Sequence, residues 1–315
     1  MSKPVILQVG PYPEWDQTPI DAAFDAKRLF EADDKAAYMA QHGSEVRAIA
    51  TRGELGADRA MIEACPKLEL ISVYGVGYDA VDLEACKDHG VRETNTHDDL
   101  TKDVADLGVA MMLCQSRGMI GAEAWVRSGS WASQGLYPLN HRVFGKKAGI
   151  LGLGRIGYAV GKRLAVFAFD IAYSVISAKD SAPDWTFVEN PVALATHADF
   201  LFVTLAASAV TRHIVSTDVI DAVGPSGMII NISRAANIDE NALIAALKDG
   251  RLGAAALDVF EGEPALDPRF LELDNVLLQP HHASGTYETR QAMGQLLRDN
   301  LTAHFAGQNL LPPVL

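Results

Sequence analysis

The hexapeptide Gly152-Leu153-Gly154-Arg155-Ile156-Gly157 stands between a short apolar run, Lys147-Ala148-Gly149-Ile150-Leu151, and a stretch with helical spacing from Tyr158 to Ala168. A strand that turns this sharply into a helix leaves few architectures open. Gly152 permits the tight turn, Gly154 lets the backbone approach a pyrophosphate, and Gly157 lets the helix pack closely on the strand. The helix N-terminus then faces negative charge. Further strand and helix units follow, so the glycine pattern lies in the context that a dinucleotide-binding turn requires, and the chain reads as α/β with parallel sheets.

The first part of the chain has the same alternation. Residues 1–98 carry apolar strands at Val5 to Val9, Val46 to Ala50, Leu70 to Val73 and Val91 to Asn95, with helical stretches at Ile20 to Phe30, Ala57 to Ala64 and Val81 to His89. Its Gly75-Val76-Gly77-Tyr78-Asp79 lacks the third glycine and reads as a substrate loop. Asp103 to Gly118 predicts a long buried helix with the apolar centre Val109 to Cys114. Arg127 to Lys146 is polar and irregular, yet bears Trp131, Leu136 and Tyr137, which should fold back or cover a partner. The helical segment Thr286 to Leu301 is expected to return to the first domain. The plan is therefore two Rossmann-like or flavodoxin-like domains: a discontinuous substrate domain, 1–98 and 287–315, and a dinucleotide-binding domain, 99–286.

Three charged residues each follow a strand end. Arg234 comes after the apolar run Gly227-Met228-Ile229-Ile230, Glu263 closes a segment that begins Gly253-Ala254-Ala255-Ala256-Leu257, and His281 follows Asn275 to Pro280. In an open α/β sheet this is the edge where ligands bind. A guanidinium holds a carboxylate through two parallel hydrogen bonds and can polarise a neighbouring carbonyl. A protonated imidazole can give its proton to the carbonyl oxygen as hydride reaches the carbon, and a nearby carboxylate favours that protonated form. The set suits reduction of a 2-oxo acid.

The strand Asp170 to Tyr173 ends in Ser174, where an NAD-specific site usually has Asp or Glu, and no carboxylate occurs before Asp180. Ser174 to Lys179 offers two hydroxyls and a cation to a 2′-phosphate. This favours NADP(H) and leaves NAD(H) open. A length of 315 residues suits two domains, and a net charge of −13 argues against nucleic acid or an anionic membrane surface as partner. Cys65, Cys86 and Cys114 are widely spaced in apolar or helical contexts, which fits reduced structural thiols better than disulfides or a metal site. Pro4 to Val9 reads as a strand, not a signal peptide, and no apolar run approaches a membrane span, so the expected location is the cytoplasm.

Together with Val73 to Asp79, Leu100 to Asp106 and His281 to Thr286, these motifs resemble the D-isomer-specific 2-hydroxyacid dehydrogenases over nearly the whole chain, most closely their glyoxylate/hydroxypyruvate and hydroxyphenylpyruvate reductases. The resemblance implies that Arg234 binds the substrate carboxylate, that Glu263 partners the histidine and that His281 is the acid/base. It also implies substrate contacts from Tyr74, Gly75, Val76 and Gly77. Cofactor contacts would come from Thr101, Leu205, Ala206 and Asp258, besides Gly152, Gly154, Arg155, Ile156, Gly157, Ser174 and Lys179. Family members use the region around Trp131 as the arm of a homodimer, which is the expected assembly here. Three positions depart from the family pattern: Ala235 for Gly, Ala206 for Pro, and His282 for Ile or Val. His282 could compete for the glutamate or point into the domain interface. Formate or phosphite dehydrogenases and dinucleotide-sensing corepressors share the scaffold, but the intact Arg, Glu and His set argues against the former and the lack of added interaction segments against the latter.

Overall fold

Central strands of a parallel sheet are covered by helices on both faces, so they read as unbroken apolar runs. The computed structural model, which describes residues 3–96 and 100–311, shows this in two sheets. The chain divides into two compact units, Met1–Leu100 with Ser284–Leu315, and Thr101–Ala283. The expected boundary between residues 98 and 99 lies outside the described residues.

In chain order the first unit contains β1 (Val5–Gln8), α1 (Glu14–Ala23), β2 (Asp25–Arg28), α2 (Lys35–His42), β3 (Ala48–Arg52), α3 (Arg59–Glu63), β4 (Leu70–Tyr74), α4 (Leu83–His89) and β5 (Arg92–Thr94). The strands lie parallel in the order β2-β1-β3-β4-β5. Ile49, Ile71, Leu7 and Val73 fill its core with Ile62 and Cys86. Asp34, Asp58 and Asp82 cap α2, α3 and α4 by accepting from the amides of Ala37, Met61 and Ala85. The helix Tyr287–Phe305 completes this unit against β4 and α1.

Two expectations change here. The helix expected over Ile20 to Phe30 ends at Ala23, and Asp25–Arg28 instead pairs with β1 as an edge strand. Its charged residues, Asp25, Lys27 and Arg28, suit an edge and conceal the apolar signature of a strand. The helix α2 was not anticipated: it has no fully buried residue, and Tyr38 and Met39, half-buried against the core, make too short an apolar stripe to announce a helix.

The second unit opens with α5 (Thr101–Ser116), α6 (Met119–Arg127) and α7 (Ser130–Gln134). Thus part of the segment expected to be irregular forms a short helix, and Tyr137 folds back to meet Trp125 edge-on at 5.9 Å. There follow β6 (Lys147–Leu151), α8 (Arg155–Val166), β7 (Asp170–Ser174), β8 (Thr186–Phe187), α9 (Pro191–His197), β9 (Phe200–Val203), α10 (Thr217–Val223), β10 (Met228–Asn231), α11 (Glu240–Asp249), β11 (Ala254–Leu257) and β12 (Val276–Leu278). The helix Tyr287–Phe305 is then α12. All seven strands are parallel, in the order β12-β11-β10-β9-β6-β7-β8. The winding reverses between β6 and β9, the switch point beside which a doubly wound sheet binds ligands at the carboxyl ends of its strands. Both sheets confirm the expected α/β class with parallel strands.

Candidate active site

The loop after β10 is stiffened by its own side chains. Asn231 Oδ1 accepts from the Ser233 amide at 3.0 Å and from the Ser233 hydroxyl at 2.8 Å, while Asn231 Nδ2 donates to the Arg234 carbonyl at 3.1 Å. Asn237, fully buried, donates to the Ser233 hydroxyl and to the Leu205 carbonyl. Arg234 is thereby held in extended conformation, and its Nη1 donates to the Ser233 carbonyl at 2.8 Å.

After β11, the Asp258 amide donates to the Asn231 carbonyl, which sets this loop beside the first. Glu263 turns back on its own loop: Oε1 accepts from the Phe260 amide at 2.7 Å, and Oε2 lies 2.6 Å from His281 Nδ1. His281 itself sits at φ 48°, a left-handed conformation that side-chain-bearing residues adopt at a cost and that often marks functional sites. Asp258 holds this turn, its two carboxylate oxygens accepting from the amides of His282 and Ala283 at 2.9 and 3.0 Å. Asp258 is only 1 % exposed, and in this structure its carboxylate holds the histidine loop. His282 turns its Nε2 to Gln279 Oε1 at 2.9 Å and is not the competitor for the glutamate that the sequence left open.

The electrostatics follow from these contacts. Burial opposes ionisation of Glu263, but the hydrogen bonds from His281 and Phe260 and the charges of His281 and Arg234 outweigh it, holding the carboxyl below the ordinary glutamate range. For Asp258 burial dominates and pushes the carboxyl up, despite the two amides. With Nδ1 of His281 on an ionised carboxylate, Nε2 is the ring nitrogen outside the pair. Arg234, Glu263 and His281 thus gather at the carboxyl ends of β10, β11 and β12.

The glycine turn lies at the same edge of the sheet, after β6. Gly152 adopts φ 103°, and a Cβ there would stand 2.8 Å from the Leu205 amide nitrogen. At Gly157 a Cβ would stand 2.1 Å from the Gly152 carbonyl oxygen, so only glycine lets α8 come this close. Gly154 differs, since nothing lies within 4 Å of a Cβ built on it. It is the N-cap of α8 and makes no side-chain cap, so the helix opens with a bare glycine turn facing that space. An open cradle at a helix N-terminus fits the pyrophosphate of a dinucleotide. Arg155 and Ile156 stand in the first turn of α8, and Leu205 and Ala206 lie in the loop after β9. Thr101 begins α5.

At the end of β7, Ser174 is buried and donates its hydroxyl to the Glu189 carbonyl at 3.2 Å. That hydroxyl points inward, and Ser177 and Lys179 are the exposed polar residues of the segment. In the first unit, Tyr74 is buried and donates its hydroxyl to the Arg290 carbonyl. The loop that follows is tied by Gly75 N donating to Thr96 Oγ1 and Asn95 Nδ2 donating to the Val76 carbonyl, each at 3.0 Å. Sequence reasoning missed Asn231, Ser233 and Asn237, although an Asn and a Ser just before Arg234 were a signal of side-chain to backbone bonding.

Comparison with known proteins gives consistent results. Residues 109–283, more than half of the chain, match the family model described as D-isomer specific 2-hydroxyacid dehydrogenase, NAD binding domain. The chain is 42 % identical over 312 residues to glyoxylate/hydroxypyruvate reductase A of Arabidopsis thaliana, covering 98 % of each sequence. A solved 2-hydroxyacid dehydrogenase of Ketogulonicigenium vulgare is 73 % identical, with a TM-score of 0.94 over 100 % of this chain and 99 % of the other. The NADPH-dependent glyoxylate/hydroxypyruvate reductase of Sinorhizobium meliloti, solved with NADP and malonate, is 35 % identical, with a TM-score of 0.91 over 99 % and 97 % of the two chains.

Proposed function

The chain belongs to the D-isomer-specific 2-hydroxyacid dehydrogenase family and is an oxidoreductase, and from that premise we propose that it reduces a small 2-oxo acid, such as glyoxylate or hydroxypyruvate, to the D-2-hydroxy acid. The observation that carries this reading is the His281–Glu263 pair at 2.6 Å, on the strand edge that also bears Arg234. Arg234 takes the substrate carboxylate and draws electron density from the adjacent carbonyl. His281 Nε2 delivers a proton to the carbonyl oxygen, while Glu263, held ionised, keeps Nδ1 hydrogen-bonded and the ring in one orientation. When bound, the reduced dinucleotide supplies the hydride to the carbonyl carbon. The same proposal gives Tyr74, Gly75, Val76 and Gly77 to substrate binding, and Gly77→Ala then raises KM for the oxo acid.

NADP(H) is favoured over NAD(H), because no carboxylate stands at the end of β7, where a 2′-hydroxyl would need an acceptor. The Sinorhizobium relative is NADPH-dependent and was solved with NADP, in keeping with that choice. The experiment is the loss of near-ultraviolet absorbance with NADPH and, separately, NADH, against glyoxylate, hydroxypyruvate, pyruvate, phenylpyruvate and 2-ketogluconate. Turnover that is faster with NADPH supports both parts of the reading. The reverse preference removes the 2′-phosphate argument alone, and silence with both cofactors across the panel removes the reductase assignment.

A homodimer is part of the proposal. Trp131, Leu136, Leu139 and Phe144 of the second unit are exposed apolar residues on one short segment, and Phe144 also lines an open cleft of about 420 Å³, half of whose lining residues are polar, with Arg117, His141 and Arg142 beside Leu113 and Phe167. Light scattering on the purified protein tests this, and Leu136→Asp with Leu139→Asp is expected to give monomers. The cytoplasm is the proposed location: among the described residues no helix is long and apolar enough to cross a membrane, and cell fractionation is the check.

A further inference from the structure

Glu240 is the first residue of α11, and it is 8 % exposed. Its Oε1 accepts from the Glu261 amide at 2.7 Å. Three carboxylates, Glu261, Asp267 and Glu263, bear on it from the facing loop, and Arg269 is the cation that counters them. Burial is the larger cost, and together with those neighbours it pushes the Glu240 carboxyl up from the ordinary glutamate value. A carboxylate placed so unfavourably needs a compensating contact, and the amide it holds belongs to the loop that carries Glu263.

Within that loop the Asp258 amide is fixed on the Asn231 carbonyl, the Phe260 amide on Glu263, and the Glu261 amide on Glu240. On the other side, His213 Nε2 lies 3.6 Å from the Glu261 carboxylate. Glu240 thus holds the backbone one residue beyond Phe260, whose amide fixes Glu263, and two residues before Glu263 itself. Without that acceptor a partly buried N–H would lose its partner, and the turn that aims Glu263 would have more freedom.

We propose that Glu240 is a positioning residue, whose carboxylate clamps the Glu261 amide and so fixes the loop that holds Glu263 on His281. The proposal rests on the roles given above to Glu263 and His281. What the clamp requires is an acceptor oxygen, not a charge, so Gln can replace Glu and an apolar side chain of similar length cannot.

The test compares Glu240→Met and Glu240→Gln in the full chain by two measurements. In Glu240→Met, kcat is expected to fall by about 10- to 100-fold, as for a small misplacement of a reacting group. KM for the dinucleotide should stay unchanged, and the alkaline limb of the kcat/KM profile should move to lower pH. Hydrogen–deuterium exchange over residues 259–263 should accelerate in the same variant. Glu240→Gln is expected to restore turnover, profile and protection. Wild-type kcat and profile in Glu240→Met overturn the proposal, as does equal impairment of both variants. Should Glu240→Met fail to fold, Glu240→Gln still decides, since loss of turnover and protection there is incompatible with a clamp that needs only an oxygen. Exchange is read without turnover, so a wild-type protein inert towards every oxo acid would sink the reductase reading while leaving the clamp standing.

Discussion

The two units bury polar side chains in different ways. In the second, Asn231, Ser233, Asn237, Glu240 and Asp258 are gathered at the carboxyl ends of β10 and β11, where each fixes a loop that carries a charged residue. In the first, apart from Asn95 and Thr96, which tie the loop after β4, they are spread out. Asp16 pairs with Arg298, Thr94 bonds to Ser72, and His304 is bracketed by Arg92 and Glu69 at 2.6 and 2.8 Å. Glu93 is fully buried in β5, and neither of its carboxylate oxygens has a hydrogen-bond partner among the described residues. Polar burial concentrated at one strand edge reads as chemistry, whereas dispersed polar burial reads as architecture, with a cost to stability wherever it is unpaired.

The contrast can be broken most directly at His281. His281→Asn is expected to lower kcat by roughly 10² to 10⁴, the usual worth of a general acid, and to leave Tm near wild type. Comparable turnover in the variant would return the histidine loop to architecture. Next come the two glycines of the turn. Gly154→Val enters open space and should raise KM for the dinucleotide at least about tenfold, the equivalent of one charge-assisted hydrogen bond, with little change in Tm. Gly157→Ala meets a backbone oxygen and should destabilise the fold by about 1–3 kcal/mol. If thermal melts ranked the two variants the other way round, the division of labour between these glycines would be wrong.

In the first unit, burial raises the Glu93 carboxyl to about 7 from an ordinary 4.5. A raised carboxyl favours the fold while protonated, so its contribution is intact below the ordinary value and lost as pH climbs through the raised one. Glu93→Gln should therefore match wild type in denaturant melts near pH 4 and gain up to about 3 kcal/mol above pH 7, with kcat unaffected. Glu263 has the opposite sign. Its lowered carboxyl contributes stability above the ordinary glutamate value and loses it as pH falls through the lowered one. Acid titration of Glu263→Gln should show a smaller loss than wild type, the smallest of these effects because the pair is partly exposed.

Much of this was legible in the chain. The glycine turn could be read because its three positions answer to three separate steric demands, and Arg234, Glu263 and His281 because each follows a strand end. The edge strand β2 could not, since its charges mask a strand pattern, nor could α2, which sets only the adjacent Tyr38 and Met39 against the core. Side-chain direction was also hidden. That Ser174 points inward to Glu189, that Asp258 serves the His281 turn, and that Glu240 reaches Glu261 across 21 residues depend on which way loops fold over the sheet, and periodicity carries no such information.

The division of the first unit by the second has a consequence for synthesis. Residues 101–283 are contiguous and can close their sheet as soon as they leave the ribosome, although they follow β1 to β5 in order of emergence. The first unit has its five strands earlier still, but has to wait for its last helix. The face of β4 covered by α12, the Tyr74 hydroxyl bound to Arg290, and the Asp16 carboxylate lodged where Gly294 leaves room all depend on a helix made last. The earliest-made strands therefore spend the longest interval without their full cover, with part of the apolar face of β4 open to water until the chain is nearly finished.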